Sequence, residues 1–172
     1  MRTRLASLAL FACLSAAWAG DAAGDLAAGR QALERRDVVA AMEAFTAALE
    51  VDPGNAEAAY ERGRLLALIG EPARAVADFT AAILSRPDYG RAYVGRAEAK
   101  LTLKDGKSAI ADFDRAIEVA PGDADVHVAR ATFRLRIGNL PGARADLVAA
   151  RAVADPATAA RIDVMLTKLG GG

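Results

Sequence analysis

His127 is the only histidine in the 172 residues, and Asp123 lies four positions before it. On a helix that spacing places two metal-ligating or proton-transferring groups on one face. No third ligand stands near them, and Asp123 is better used as a helix N-cap, so the pair reads as structure and not as a metal centre. Ser85 and Ser108 fall in a loop and at a helix start, without a nucleophile signature around either. No glycine-rich loop of the phosphate-cradling kind occurs. What remains is the chemistry of noncovalent recognition. Arg30, Arg64 and Arg91 can pair with carboxylates or backbone carbonyls. Glu57, Glu98 and Asp125 can accept from cations, and Leu26, Tyr60, Val94, Val128 and Thr132 supply a mainly apolar surface between them.

These residues recur because the chain repeats. Phe45, Phe79, Phe113 and Leu147 are 34 residues apart. Ala41, Ala75, Ala109 and Ala143 keep the same step, as do Ala48, Ala82, Ala116 and Ala150. Gly29, Gly63, Ala97 and Ala131 form another small-residue column. Pro53, Pro87 and Pro121 follow the period, and Pro156 misses it by one. A period of this size marks stacked supersecondary units, each unable to bury its apolar face alone.

The units run 22–55, 56–89, 90–123 and 124–157, and each reads as helix, tight turn, helix. Asp37, Glu71, Asp105 and Asn139 open the second helices, with Pro72 suited to a first helical position. Pro-Gly-Asn at 53–55, Pro-Asp at 87–88 and Pro-Gly-Asp at 121–123 stop one helix and cap the next. No segment alternates as a strand does. The two small columns let paired helices approach, and the Phe column fills the space that is left. Ile162, Met165, Leu166 and Leu169 share one helical face, so residues 158–169 are expected to form a capping helix, with 170–172 a frayed tail.

This pattern resembles the tetratricopeptide repeat family over about residues 22–157. The Ala-x-x-x-Phe step occurs at 41–45, 75–79 and 109–113, with proline eight residues after each Phe. The first helices depart from the family pattern. Asp25, Ala59, Tyr93 and His127 stand where Trp is frequent, and Ala32, Leu66, Lys100 and Arg134 where Tyr is frequent. The resemblance implies an all-α fold, a right-handed α-solenoid of helix–turn–helix repeats with a C-terminal capping helix. It also implies a concave groove on the first helices as the ligand site. By spacing, that face carries Leu26 and Arg30, then Glu57, Tyr60 and Arg64, then Arg91, Val94 and Glu98, then Asp125, Val128 and Thr132. The asparagine-and-lysine clamp that some members use for C-terminal carboxylates is not evident. The resemblance places His127 in a packing column.

Other charges are read as structural. Arg62, Arg96 and Arg130 keep the period and are expected to pack their stems beside the small column, their heads reaching solvent or a loop acid. Arg74 with Asp78, and Asp112 with Arg115, stand at helical spacing and read as exposed ion pairs on the outer face.

The N-terminus is a separate object. Arg2 and Arg4 precede an apolar run from Leu5 to Ala16, then Ala17-Trp18-Ala19. That order reads as a signal peptide over 1–19, cleaved after Ala19. Cys13 loosely resembles a lipobox cysteine, which would instead anchor the protein to a membrane. With residues 1–19 removed, 153 residues remain, with 20 basic and 22 acidic groups and no cysteine. Disulfides and thiolate chemistry are then excluded, and no basic field favours nucleic acid. The Ala- and Arg-rich composition points to a bacterial source and so to the periplasm.

The sequence therefore reads as an exported adaptor that binds a protein or peptide without a cofactor. Two rivals stand beside it: an enzyme, and a module that self-associates through Ala40, Ala44 and Ala47. Deletion of the wedge should be expensive. Phe79→Ala is expected to lower stability by about 3–5 kcal/mol, read from the shift in urea midpoint.

Overall fold

A computed structural model describes residues 21–170. The expected leader over 1–19, Cys13, and Gly171–Gly172 lie outside the described residues. Nine helices occur among those described: α1 (Ala22–Glu34), α2 (Val38–Val51), α3 (Ala56–Leu68), α4 (Pro72–Ser85), α5 (Gly90–Thr102), α6 (Gly106–Val119), α7 (Ala124–Arg136), α8 (Leu140–Val153) and α9 (Pro156–Gly170). The described residues contain no strand. The architecture is an all-α repeat solenoid of four helix pairs closed by α9. No described helix is long and apolar enough to cross a membrane.

The turns inside the pairs are one device used four times. Arg36, Gly70, Lys104 and Gly138 all have positive φ, between 60° and 83°. The next residue's amide then reaches back to the first helix: Asp37 to the Ala32 carbonyl, Glu71 to Leu66, Asp105 to Lys100 and Asn139 to Arg134, at 2.8–2.9 Å. This is a Schellman closure, which satisfies a carbonyl the helix end would otherwise leave open. The same residue starts the second helix. Asp37, Asp105 and Asn139 accept from the amides of Ala40, Ser108 and Gly142 at 3.0–3.1 Å. Glu71 departs from this: its side chain makes no cap bond. Pro72 accounts for the tolerance, since proline presets the helical φ and removes one of the amides needing a partner. Between units, Asn55 and Asp123 cap α3 and α7. In unit three the cap position falls on Tyr89 rather than on the expected Asp88, and it has no side-chain cap bond.

The Phe column is the core. Phe45, Phe79, Phe113 and Leu147 are at most 2% exposed, and the alanine columns at 41 and 48 and their repeats are fully buried. Phe79 shows why the neighbours are small. A methyl on Gly63, in its own unit, would sit 3.0 Å from the Phe79 ring. A methyl on Gly95, in the next unit, would sit 2.6 Å from the same ring. Carbon atoms do not approach that closely without displacement, so the ring fixes both the pair and the stacking of the following unit. At the C-terminus, Ile162 is buried against Ala131, Leu147 and Ala150, with Met165, Leu166 and Leu169 packed around it. The cap begins at Pro156, two residues earlier than expected, and Gly170 is still helical. The displaced proline of the fourth unit thus opens a helix instead of ending one.

The periodic arginines differ from expectation. Arg62, Arg96 and Arg130 turn inward, each gripping a second-helix carboxylate with Nε and Nη2. The partners are Asp78 (2.7 and 2.8 Å), Asp112 (2.9 and 2.7 Å) and Asp146 (3.1 and 2.7 Å). All three aspartates are buried. Asp78 and Asp112 are therefore not the exposed partners of Arg74 and Arg115; Arg115 pairs with Glu118 instead. Two of the family departures find their use here. Lys100 adds a second cation to Asp112 at 2.8 Å, and Arg134 adds one to Asp146 at 2.9 Å. Unit two has Leu66 at that place, so Asp78 depends on Arg62 alone. Each arginine also reaches the preceding unit through Nη1: Arg62 to Thr46 (3.5 Å), Arg96 to Thr80 (3.2 Å) and Arg130 to Asp114 (2.8 Å). Ser85, read as a loop residue, closes α4.

A buried pair of this kind is costly to break and cheap to replace whole. Arg62→Met should destabilise by about 3–5 kcal/mol, because it strands the Asp78 carboxylate. Adding Asp78→Leu should restore most of that loss. Arg96→Met should cost less than Arg62→Met, since Lys100 still serves Asp112. Denaturant unfolding of the three variants beside the wild type checks all three expectations.

Candidate functional site

The first helices α3 and α5 wall a concavity of about 620 Å³. Tyr60, Arg64, Leu68, Val94, Glu98 and Thr102 line it, and Phe79 and Gly95 contribute from below. Gly95 matters to its shape as well as to packing: a side chain there would enter the Phe79 ring and narrow the hollow. Arg91 and Asp125 stand at the end towards unit four. A second hollow of about 440 Å³ adjoins it and is lined by Arg30, Glu57, Tyr60, Arg86 and Tyr89, among others.

The structure thus brings Tyr60, Arg64, Arg91, Val94, Glu98 and Asp125 together in one hollow, and Arg30 and Glu57 into the next. Leu26, Val128 and Thr132 line neither of these two. Leu26 packs on the Phe45 cluster and Val128 on the Leu147–Ile162 cluster. The column Leu26, Tyr60, Val94 and Val128 is half-buried throughout, so it belongs to the core on one side and to the groove on the other. Ala40, named for self-association, also packs on the Phe45 cluster, and Ala44 and Ala47 are half-buried.

The groove charges are largely paired with one another. Arg30 binds Glu57 of the next unit at 2.5 Å. Arg91 donates to Asp123 at 2.8 Å and to Asp125 at 3.1 Å. Arg64 holds Glu61 at 2.9 Å. These contacts are exposed, so each contributes little to stability while reducing the positive charge the groove offers a ligand. Glu98 differs. Its carboxylate makes no hydrogen bond or ion pair among the described residues. It is accessible to water, yet the walls of the hollow strip enough hydration to hold its pKa above the usual range.

Tyr89 and Arg86 were not read as site residues. The Arg86 guanidinium lies 3.8 Å over the Tyr89 ring, and Tyr89 packs on Tyr60 at 4.9 Å between centroids. The available signal was an aromatic at a position that holds Asn55 and Asp123 in other units. His127 is buried, with Nε2 2.8 Å from the Pro121 carbonyl. Its Nε2–H tautomer donates there, while Asp123 caps α7 and holds Arg91. Among the described residues no group of three His, Cys, Asp or Glu side chains could hold a metal.

Four stacked helical hairpins sharing one concave face define a helical-repeat scaffold. The tetratricopeptide repeat profile matches residues 26–83 and 69–124, and the chain belongs to that family. Among solved structures, it is similar to TTC0263, a thermophilic TPR protein of Thermus thermophilus. That match has 25% identity, covers 87% of this chain and 81% of that one, and gives a TM-score of 0.74. It is also similar in fold to MamA, at 19% identity over 81% of this chain and 82% of that chain, with a TM-score of 0.66. A third is the TPR2B domain of yeast Sti1, solved as a pHsp70 complex. It shows 27% identity over 58% of this chain and 79% of that chain, with a TM-score of 0.55. No curated protein sequence matches this chain.

Burial pushes the Tyr89 phenol up to about 12, with the nearby Tyr60 adding to the effect. Its folded pKa then exceeds the unfolded value, so the folded state holds the proton more tightly. The associated stability is present below about pH 10 and lost as pH rises through about 12. In an ultraviolet absorbance titration, the wild type should show a tyrosine ionising near 12, and Tyr89→Phe should remove that step.

Proposed function

We propose that this chain is an exported adaptor that holds a peptide segment of a partner protein along the groove of its first helices. The observation that carries the reading is the continuous half-buried column Leu26, Tyr60, Val94 and Val128, opened between Tyr60 and Val94 into a hollow bordered by charge. Such a face can take apolar side chains into its hollow and polar ones on its rim. The Schellman turns and the buried arginine pairs fix the helices before any ligand arrives, which lowers the ordering cost of binding. The likeness to the pHsp70-bound domain of yeast Sti1 supports a peptide or protein as the ligand class. Export rests on the order of Arg2, Arg4, the run Leu5–Ala16 and Ala17-Trp18-Ala19. With the Ala- and Arg-rich composition it supports work in a bacterial envelope. The family membership and the likeness to a peptide-bound domain support binding rather than catalysis as its role.

Photo-crosslinking in the cell envelope tests this. A reactive group at Arg64 faces the hollow, whereas one at Ala111 stands exposed on α6 as the outer control. Asp112, expected on the outer face, is buried and unsuitable. A discrete adduct from Arg64 alone is expected. Equal labelling at both positions, or none at Arg64, would remove the groove from consideration.

A further inference from the structure

We propose that the groove selects a ligand segment carrying a lysine or arginine side chain, which docks on Glu98 beside an apolar residue seated on Tyr60 and Val94. The inference rests on the groove reading above and names the chemistry of its partner. Charge complementarity carries it. The column of residues at the groove rim runs Arg30, Arg64, Glu98 and Thr132, so its sign reverses between the second and third units. The positive members are already engaged. Arg30 holds Glu57, Arg64 holds Glu61, and Arg91 holds two carboxylates at once. Arg86 lies over Tyr89 and reaches Glu57 at 3.5 Å. An acidic ligand would have to displace one of these partners before it gained a contact.

Glu98 asks for no such exchange. Its carboxylate is unpaired among the described residues and projects into the 620 Å³ hollow. Arg136 acts on it only at longer range, without a direct contact. The partial loss of its hydration raises the cost of keeping the charge alone, and a cation placed there relieves that cost. Asp125 lines the same hollow with its carboxylate 61% exposed and only one oxygen committed to Arg91. It gives an incoming cation a second acceptor. The rest of the lining is mixed: Leu68 and Val94 stand on the walls with the Tyr60 ring at hand, Thr102 adds a hydroxyl, and Arg64 and Arg91 are held by their own carboxylate partners. A long cationic side chain suits this mixture, because its methylene stem covers apolar surface while its head meets the carboxylate.

Phage-displayed random dodecapeptides panned on the whole chain test the proposal. Peptides enriched on the wild type should carry Lys or Arg next to an aliphatic or aromatic residue. Panning on Glu98→Gln should lose the cationic preference, and a selected peptide should bind that variant about tenfold more weakly. Replacing the peptide's lysine with norleucine should weaken binding to the wild type similarly and leave Glu98→Gln nearly unaffected. Circular dichroism should be unchanged, since Glu98 supports no side-chain contact in the fold. Enrichment without a cation, or the same cationic set from both proteins, would overturn the proposal while leaving the groove in place. Peptides whose binding survives Tyr60→Ala, or no enrichment at all, would overturn the groove reading together with it.

Discussion

The Phe79 ring occupies the space that a side chain on either Gly63 or Gly95 would need. That exclusion joins the two helices of unit two to the first helix of unit three. It also sets the depth of the hollow, since Phe79 and Gly95 both contribute to its lining. Packing and site geometry are therefore one problem here. The core sets alanine and glycine columns around one wedge residue per unit, with Leu65, Leu66, Ile83, Tyr93, Val126 and Phe133 filling the space between them. A close-packed interior of this kind transmits a change in volume to its neighbours.

Charge is arranged in two layers with different duties. Inside, Arg62, Arg96 and Arg130 bind buried aspartates across the helix pairs of units two to four and reach back to the unit before. Outside, the groove arginines bind acids on neighbouring turns and units. The buried layer fixes orientation, because a planar guanidinium gripping a carboxylate with two nitrogens tolerates little rotation. The outer layer is solvated and exchangeable. Glu98 belongs to neither, and this sets it apart from the other carboxylates of the groove.

The repeat was legible because every unit solves the same packing problem with the same residue types. The columns at 41, 45 and 48 recur and need no tertiary knowledge to see. The period also sets Leu26, Tyr60, Val94 and Val128 in one half-buried column, of which only Tyr60 and Val94 line the hollow. The inward arginines were not, because Arg62 and Asp78 are 16 residues apart on different helices, and a single-helix spacing rule pairs Asp78 with Arg74 instead. A signal was present: positions 62 and 78 keep the period together, and unit one lacks both, with Ala28 and Ala44 in their places. The starts of α4 and α5 lack side-chain cap bonds: Pro72 stands in for the cap at α4, and at α5 the cap position falls on Tyr89, one residue past Asp88. The groove pairings Arg30–Glu57 and Arg91–Asp125 lie between units, where a period alone cannot say which charge finds which.

The bonds from each arginine to the unit before it shorten along the chain, from 3.5 Å at Thr46 through 3.2 Å at Thr80 to 2.8 Å at the Asp114 carboxylate. The last is also the only one between opposite charges. Unit one, with Ala28 and Ala44, has no inward pair of its own. This one bond of each seam is thus graded along the chain, while Arg30–Glu57 and Arg91–Asp125 add ion pairs at the first and last seams. A solenoid of nearest-neighbour contacts comes apart where its weakest seam lies. Of the three arginines, Arg62 would be the first to let go of the unit before it, since it holds Thr46 by the longest bond and without a charge on the partner.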